Sequence, residues 1–185
     1  LYETRPGRDE IRLVKRIPVD LSDPYGLCMA RWDDRMEVFI GDKTGIVQRW
    51  SIAPDLAGSL VGEFRFDSQT EGCVVDSETE TLYVGEEVRG IWSVNLADAS
   101  KHLVARVDGR QLVADVEGLD IYSDGTRKWL VASSQGDSTY IVYELPGGKQ
   151  RLKFAIGRNL ALGIDGTSDT DGIAVTSMPL PGYPQ

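Results

Sequence analysis

Residues 71–96, EGCVVDSETETLYVGEEVRGIWSVNL, carry the pattern on which the fold reading turns. A carboxylate–glycine pair opens them, Glu71-Gly72, and a short apolar run, Leu82-Tyr83-Val84-Gly85, leads to a polar residue at Glu87. An alternating run follows, Ile91-Trp92-Ser93-Val94-Asn95-Leu96, and a last one, Leu103 to Val107, closes the unit. Alternation with aromatic and β-branched enrichment is strand periodicity.

The same order of features recurs on both sides of this stretch. A Tyr or carboxylate precedes glycine at Tyr25-Gly26, Glu71-Gly72, Glu117-Gly118 and Asp171-Gly172, so that the glycines stand 46, 46 and 54 residues apart. Val38-Phe39-Ile40-Gly41 leads to Lys43 as Leu82–Gly85 leads to Glu87 and Leu130-Val131-Ala132-Ser133 leads to Gln135. The third run recurs as Ile46–Ile52 and Tyr140–Leu145, and the fourth as Leu60 to Phe66 and Leu152 to Ile156. Four short antiparallel strands in roughly 40–50 residues make one blade of a β-propeller. The chain is therefore read as all-β, with about three complete blades and the start of a fourth, and as one partial propeller domain over residues 1–185.

Composition narrows the function. The formal net charge of −9 argues against nucleic acid, which needs clustered Lys and Arg. No apolar run approaches the roughly 18 residues that span a bilayer, so no membrane partner is expected. A polyanionic ligand would be repelled unless bound cations reversed the local field. Two cysteines, Cys28 and Cys73, exclude a Cys-based zinc site; each follows a glycine in an equivalent strand, and a disulfide and two buried thiols both remain open. His102 is the one histidine and is read as a surface residue in a polar connection. Ser133-Ser134-Gln135-Gly136 does not fit a nucleophile elbow, which leaves no serine triad.

In a propeller the innermost strand of each blade lines the central axis, so equivalent residues converge. Glu71, Glu87, Asp115, Glu117, Gln135 and Asp165 are expected around one opening, with Tyr25 and Lys43 added by the first blade. Oxygen ligands without His or thiolate suit Ca²⁺, which would also offset the mutual repulsion of the carboxylates. The alternative for any one of them is an acidic turn on a solvated surface. Asp165 through Gly172 has carboxylates spaced like a calcium loop but lacks the EF-hand order.

Several stretches together resemble the β-propeller phytases: Asp23-Pro24-Tyr25-Gly26-Leu27-Cys28, Ser68 through Cys73, Leu82 through Glu87 with Gly90-Ile91-Trp92, Ala114 through Leu119, Ala132 through Gly136, and Asp165 through Ile173. The resemblance covers essentially the whole chain. It implies a six-bladed propeller longer than this chain, with several Ca²⁺ ions at an acidic channel mouth. By motif, Glu71, Glu87, Asp115, Glu117 and Gln135 resemble ligands of the catalytic calcium cluster, and Asp165 and Gly166 resemble further calcium ligands. Tyr25 and Lys43 resemble contacts to substrate phosphate. The implied activity is calcium-dependent release of phosphate from phytate and lower inositol phosphates, with Glu71, Glu117 and Lys43 in catalytic roles, in a secreted or periplasmic protein. Other expectations follow from the sequence. An incomplete propeller domain that binds calcium and inositol phosphates for a partner is one rival function. A non-enzymatic scaffold is disfavoured because the WD signature is absent. The unpaired outer blades are expected to cause self-association or to be covered by the rest of a longer protein.

Overall fold

A computed structural model describes residues 1–4, 7 and 10–182. A short antiparallel pair, β1 (Tyr2–Thr4) and β2 (Ile11–Leu13), precedes three four-stranded antiparallel sheets. The first blade is β3 (Pro24–Arg31), β4 (Met36–Asp42), β5 (Ile46–Ile52) and β6 (Gly58–Arg65). The second is β7 (Thr70–Asp76), β8 (Thr81–Glu86), β9 (Gly90–Asn95) and β10 (Lys101–Arg106); the third is β11 (Val116–Ser123), β12 (Lys128–Ser134), β13 (Thr139–Leu145) and β14 (Lys149–Phe154). Each sheet keeps its strands in sequence order, as the repeat requires. His102 is exposed but lies within β10 instead of in the connection before it, because the pairing of β10 with β9 starts at Lys101 opposite Val94.

Strand alternation sends the two faces of the middle blade into different cores. Leu82, Val84, Val94 and Leu96 pack with Ala30, Phe39, Val47, Phe64 and Phe66 of the first blade. Tyr83 and Ile91 pack with Leu119, Leu130, Ala132, Ile141 and Tyr143 of the third. Inter-blade cores account for most of the buried apolar side chains, so no blade is a folding unit by itself. The outer faces have fewer partners. On the first blade Leu27 and Met29 stay exposed, and Leu1 and Ile17 from the N-terminal stretch line a cavity against Val38, Ile40, Trp50 and Ile52.

Near the axis the strands touch through backbone. A Cβ on Gly26 would stand 1.9 Å from the carbonyl oxygen of Glu71, and one on Gly72 would stand 1.8 Å from that of Glu117. A Cβ on Gly118 would come within 2.5 Å of the amide nitrogen of Ile173 and 2.8 Å of the carbonyl oxygen of Asp171. Each repeat glycine therefore receives the residue before the next repeat glycine. The fourth start is present but irregular. Residues 170–175 run along β11 without forming a strand of their own, held by Ser133 Oγ donating to the Thr170 carbonyl at 2.7 Å and by the Val175 amide donating to Asp120 Oδ2 at 2.7 Å.

Cys28 and Cys73 form a disulfide between β3 and β7, two residues beyond the first glycine contact. Of the two alternatives left open by the sequence, the cross-blade bond is the one observed.

Two stability measurements check this architecture. Gly72→Ala should cost about 3 kcal/mol, because a backbone carbonyl cannot yield as a flexible side chain would. Urea unfolding showing a loss under about 1 kcal/mol would contradict the contact. The Cys28→Ser/Cys73→Ser pair should lower stability by roughly 2–4 kcal/mol, since the disulfide closes a loop of 45 residues in the unfolded chain.

Candidate active site

The residue before each repeat glycine is presented by a break in the inner ladder. Pairing of β3 with β4 shifts between Pro24 and Leu27, that of β7 with β8 between Thr70 and Cys73, and that of β11 with β12 between Val116 and Leu119. In each case two residues, Tyr25-Gly26, Glu71-Gly72 or Glu117-Gly118, oppose one on the second strand. Such bulges free a side chain from the regular alternation and re-aim it.

The second strands end in register with this break. Lys43, Glu87 and Gln135 each follow the last residue of β4, β8 and β12, and their amides donate to the carbonyls of Asp23 (3.3 Å), Gln69 (3.1 Å) and Asp115 (3.0 Å). The three hydrogen bonds are equivalent, so the sequence repeat is a structural repeat at the site itself. Side chains extend it. Lys43 Nζ lies 3.5 Å from Asp23 Oδ2 and 4.5 Å from the centre of the Tyr25 ring, and Gln69 Nε2 donates to Glu87 Oε1.

Glu71, Glu117 and Asp171 come together: one carboxylate oxygen from each lies within 4.8 Å of the others. Glu117 is 5% exposed, and Oε2 of both Glu71 and Glu117 is buried without a hydrogen-bond partner among the described residues. Burial, the adjoining Glu71 carboxylate, and then Glu87 and Asp171 push the Glu117 carboxyl from about 4.5 up to about 9. Burial likewise raises Glu87, against the Gln69 hydrogen bond and with help from Asp115 and Glu71. The Tyr25 phenol is raised mainly by the Glu71 charge. A cleft of about 220 Å³ runs along this row and is lined by Tyr25, Glu71, Gly118, Asp171 and Ile173 among others.

This donor set fits a hard cation. Buried carboxylate oxygens with no partner among the described residues are an unfavourable arrangement that a calcium ion would reverse. The buried carboxylates elsewhere are all satisfied: Asp42 by Thr44 and Ile46, Asp76 by Lys128, Glu37 by Arg49 and Glu86 by Ser68 and Trp92.

The sequence profile of the phytase family matches residues 17–185. The chain belongs to the phytase family. A 3-phytase of Bacillus subtilis is 35% identical over 181 residues, covering 91% of this chain and 47% of that protein. The chain thus spans about half the length of the curated relative it matches.

Of the residues singled out from the sequence, Tyr25, Lys43, Glu71, Glu87, Glu117 and Gln135 fall at the bulges or just past the ends of the second strands, and Asp115 immediately precedes β11, where its carbonyl accepts from Gln135. Asp165 and Gly166 are placed differently. Both are exposed, Asp165 Oδ1 accepts from the Gly166 amide at 2.8 Å, and the neighbouring Thr167 amide donates to the Ile156 carbonyl, which ties this turn to the end of the third blade. Asp171 takes the position beside Glu117. It was legible as the fourth member of the repeat, but its loop-like surroundings concealed its alignment with Glu71 and Glu117. Ser133 and Ser134 are fully buried and committed to hydrogen bonds with Thr170, Val113 and Asp137, consistent with no serine nucleophile.

The carboxylate row predicts a pH dependence. A carboxyl whose folded pKa is raised stabilises the fold fully only below its unfolded pKa, and this contribution is lost as pH rises toward the folded value. In chelator, the melting temperature should fall between about pH 4.5 and pH 9, and Glu117→Gln should flatten the fall. Added calcium should restore the loss at the alkaline end. An unchanged slope in Glu117→Gln, followed by thermal scanning, would contradict the assignment.

Proposed function

We propose that this chain carries the calcium-binding part of a phytase active site and that the protein hydrolyses phosphomonoesters of phytate and lower inositol phosphates. The observation that carries the reading is the Glu71–Glu117–Asp171 trio, with two buried carboxylate oxygens lacking partners, in a chain of the phytase family. Glu71, Glu117 and Asp171 would hold calcium, with Glu87, Asp115 and Gln135 bordering them. Asp165 and Gly166 remain candidates for a further ion from the resemblance alone. Bound calcium would supply charge compensation for substrate phosphates and a polarised, acidified water.

The chain's own residues supply binding and charge. Lys43, held by Asp23 and the Tyr25 ring, is exposed and offers an ammonium to a phosphate oxygen beside the acidic row. There it would stabilise charge gathering on the transferring phosphoryl group. Tyr25 is half exposed and borders the cleft, where its hydroxyl can donate to a second phosphate. The Glu71 and Glu117 carboxylates set the field that selects cations at this place. In this reading a polarised water is the nucleophile, so no covalent intermediate is required.

A second reading has one observation in its favour: the chain spans 47% of its relative. In it this domain binds calcium and inositol phosphates while other blades, from the same longer protein or from association of copies, complete the site. The exposed apolar residues on the outer faces, Leu27 and Met29 at one end and Phe154 and Ile156 at the other, support such covering. The disulfide supports a secreted or periplasmic location, because such bonds persist in oxidising compartments.

Phosphate release from phytate by the purified chain, with calcium and with chelator, separates the readings. Turnover that needs calcium and falls roughly 100-fold or more in Glu71→Ala and Glu117→Ala, with circular dichroism unchanged, is the expected result. Full activity in those variants would sink the site assignment. Binding of calcium and phytate without turnover would establish the incomplete-domain reading.

A further inference from the structure

The last residue of the second strand is polar and almost completely sealed in every blade: Asp42 is 1% exposed, Glu86 1% and Ser134 0%. None lies in the acidic row, yet each immediately precedes a residue that does or borders it, Lys43, Glu87 or Gln135. Each makes a hydrogen bond to the segment that enters the inner strand, beside others to its own strand end, such as those Asp42 Oδ1 accepts from Thr44 and Ile46. Asp42 Oδ2 accepts from Ser22 Oγ at 3.4 Å, Glu86 Oε1 accepts from Ser68 Oγ at 2.8 Å, and Ser134 Oγ accepts from the Val113 amide at 2.9 Å. Ser22, Ser68 and Val113 stand one or two residues before Asp23, Gln69 and Asp115, whose carbonyls receive the amides of Lys43, Glu87 and Gln135.

A closed loop of contacts results. The sealed side chain fixes the segment entering the inner strand, that segment fixes the first residue after the second strand, and the bulge beside it carries the site residue. In the middle blade both carboxylate oxygens of Glu86 are engaged, since Trp92 Nε1 donates to the second at 2.7 Å. Gln69, the neighbour of Ser68, then donates to Glu87. Sealing a carboxylate for structural purposes alone is costly compared with an apolar residue of similar volume. An Asp, a Glu and a Ser nevertheless occupy this one position.

We infer that Asp42, Glu86 and Ser134 are positioning residues, buried anchors that set the loops of the cation site before any ligand arrives, with Glu86 acting on Glu87 through Ser68 and Gln69. The inference rests on the proposed calcium site and adds residues to it that touch neither metal nor substrate. The anchor works by preorganisation: without it Glu87 and Gln69 must be ordered at the moment of binding.

Calcium titration calorimetry on the whole chain, with calcium as the only ligand, tests it. Ser68→Ala removes one anchor contact and leaves the carboxylate and Trp92 in place. It should weaken calcium binding about tenfold with the melting temperature lowered by only a few degrees. Glu86→Gln should show the same loss where it folds. In a Glu87→Gln background, Ser68→Ala should have no further effect, as the anchor acts through Glu87. Wild-type affinity in Ser68→Ala, or an undiminished tenfold loss in the Glu87→Gln background, overturns the inference while leaving the calcium site standing. Absence of calcium binding by the unmodified chain overturns both.

Discussion

The approach of one inner strand's backbone to the next, at Gly26, Gly72 and Gly118, is the constraint on which the other features depend. With no side chain at these positions, the carbonyls of Glu71, Glu117 and Asp171 sit where a Cβ would otherwise be. Inter-blade spacing is thereby fixed at the axis, and the two apolar cores fill the wedge that opens outward. The same contact pulls residues 170–175 against β11 although they form no ladder. Without it the carboxylates would have no reason to meet.

That they meet is electrostatically unfavourable in the bare protein. Buried carboxylates occur throughout the chain, and they divide into two kinds. Asp42, Asp76, Glu37 and Glu86 are each held by hydroxyl, amide, indole, ammonium or guanidinium donors, and such groups stabilise turns and blade junctions. Glu71 and Glu117 have oxygens with none among the described residues. An acidic residue is informative about function here through its missing partners far more than through its burial or its charge. The tight backbone packing gives these carboxylates little freedom to move apart, so proton uptake or cation binding is the available relief.

The anchors beneath the site show how a repeat can be reused for precision. Asp42, Glu86 and Ser134 differ in charge and length but occupy one structural position, and each accepts a hydrogen bond from the segment entering the inner strand. Their chemical variety hid them in the sequence, where a repeat is recognised by similar letters. Lys43, Glu87 and Gln135 vary as much, yet they were found because the apolar run and glycine or serine before them mark the end of a strand.

The sequence by itself determined the fold class, the blade boundaries and most of the acidic row. Strand alternation and a glycine recurring at spacings of 46, 46 and 54 residues are local properties that folding preserves. It also marked Tyr25, Lys43, Glu71, Glu87, Asp115, Glu117 and Gln135 as candidates, on the expectation that equivalent positions in equivalent blades converge. Only the tertiary structure decided the pairing of Cys28 with Cys73, the place of Asp171 instead of Asp165 beside Glu117, and which buried carboxylates have donors. The first two depend on distances between blades. Such distances are set by side-chain packing and backbone approach across the inter-blade cores, and no spacing along the chain encodes them.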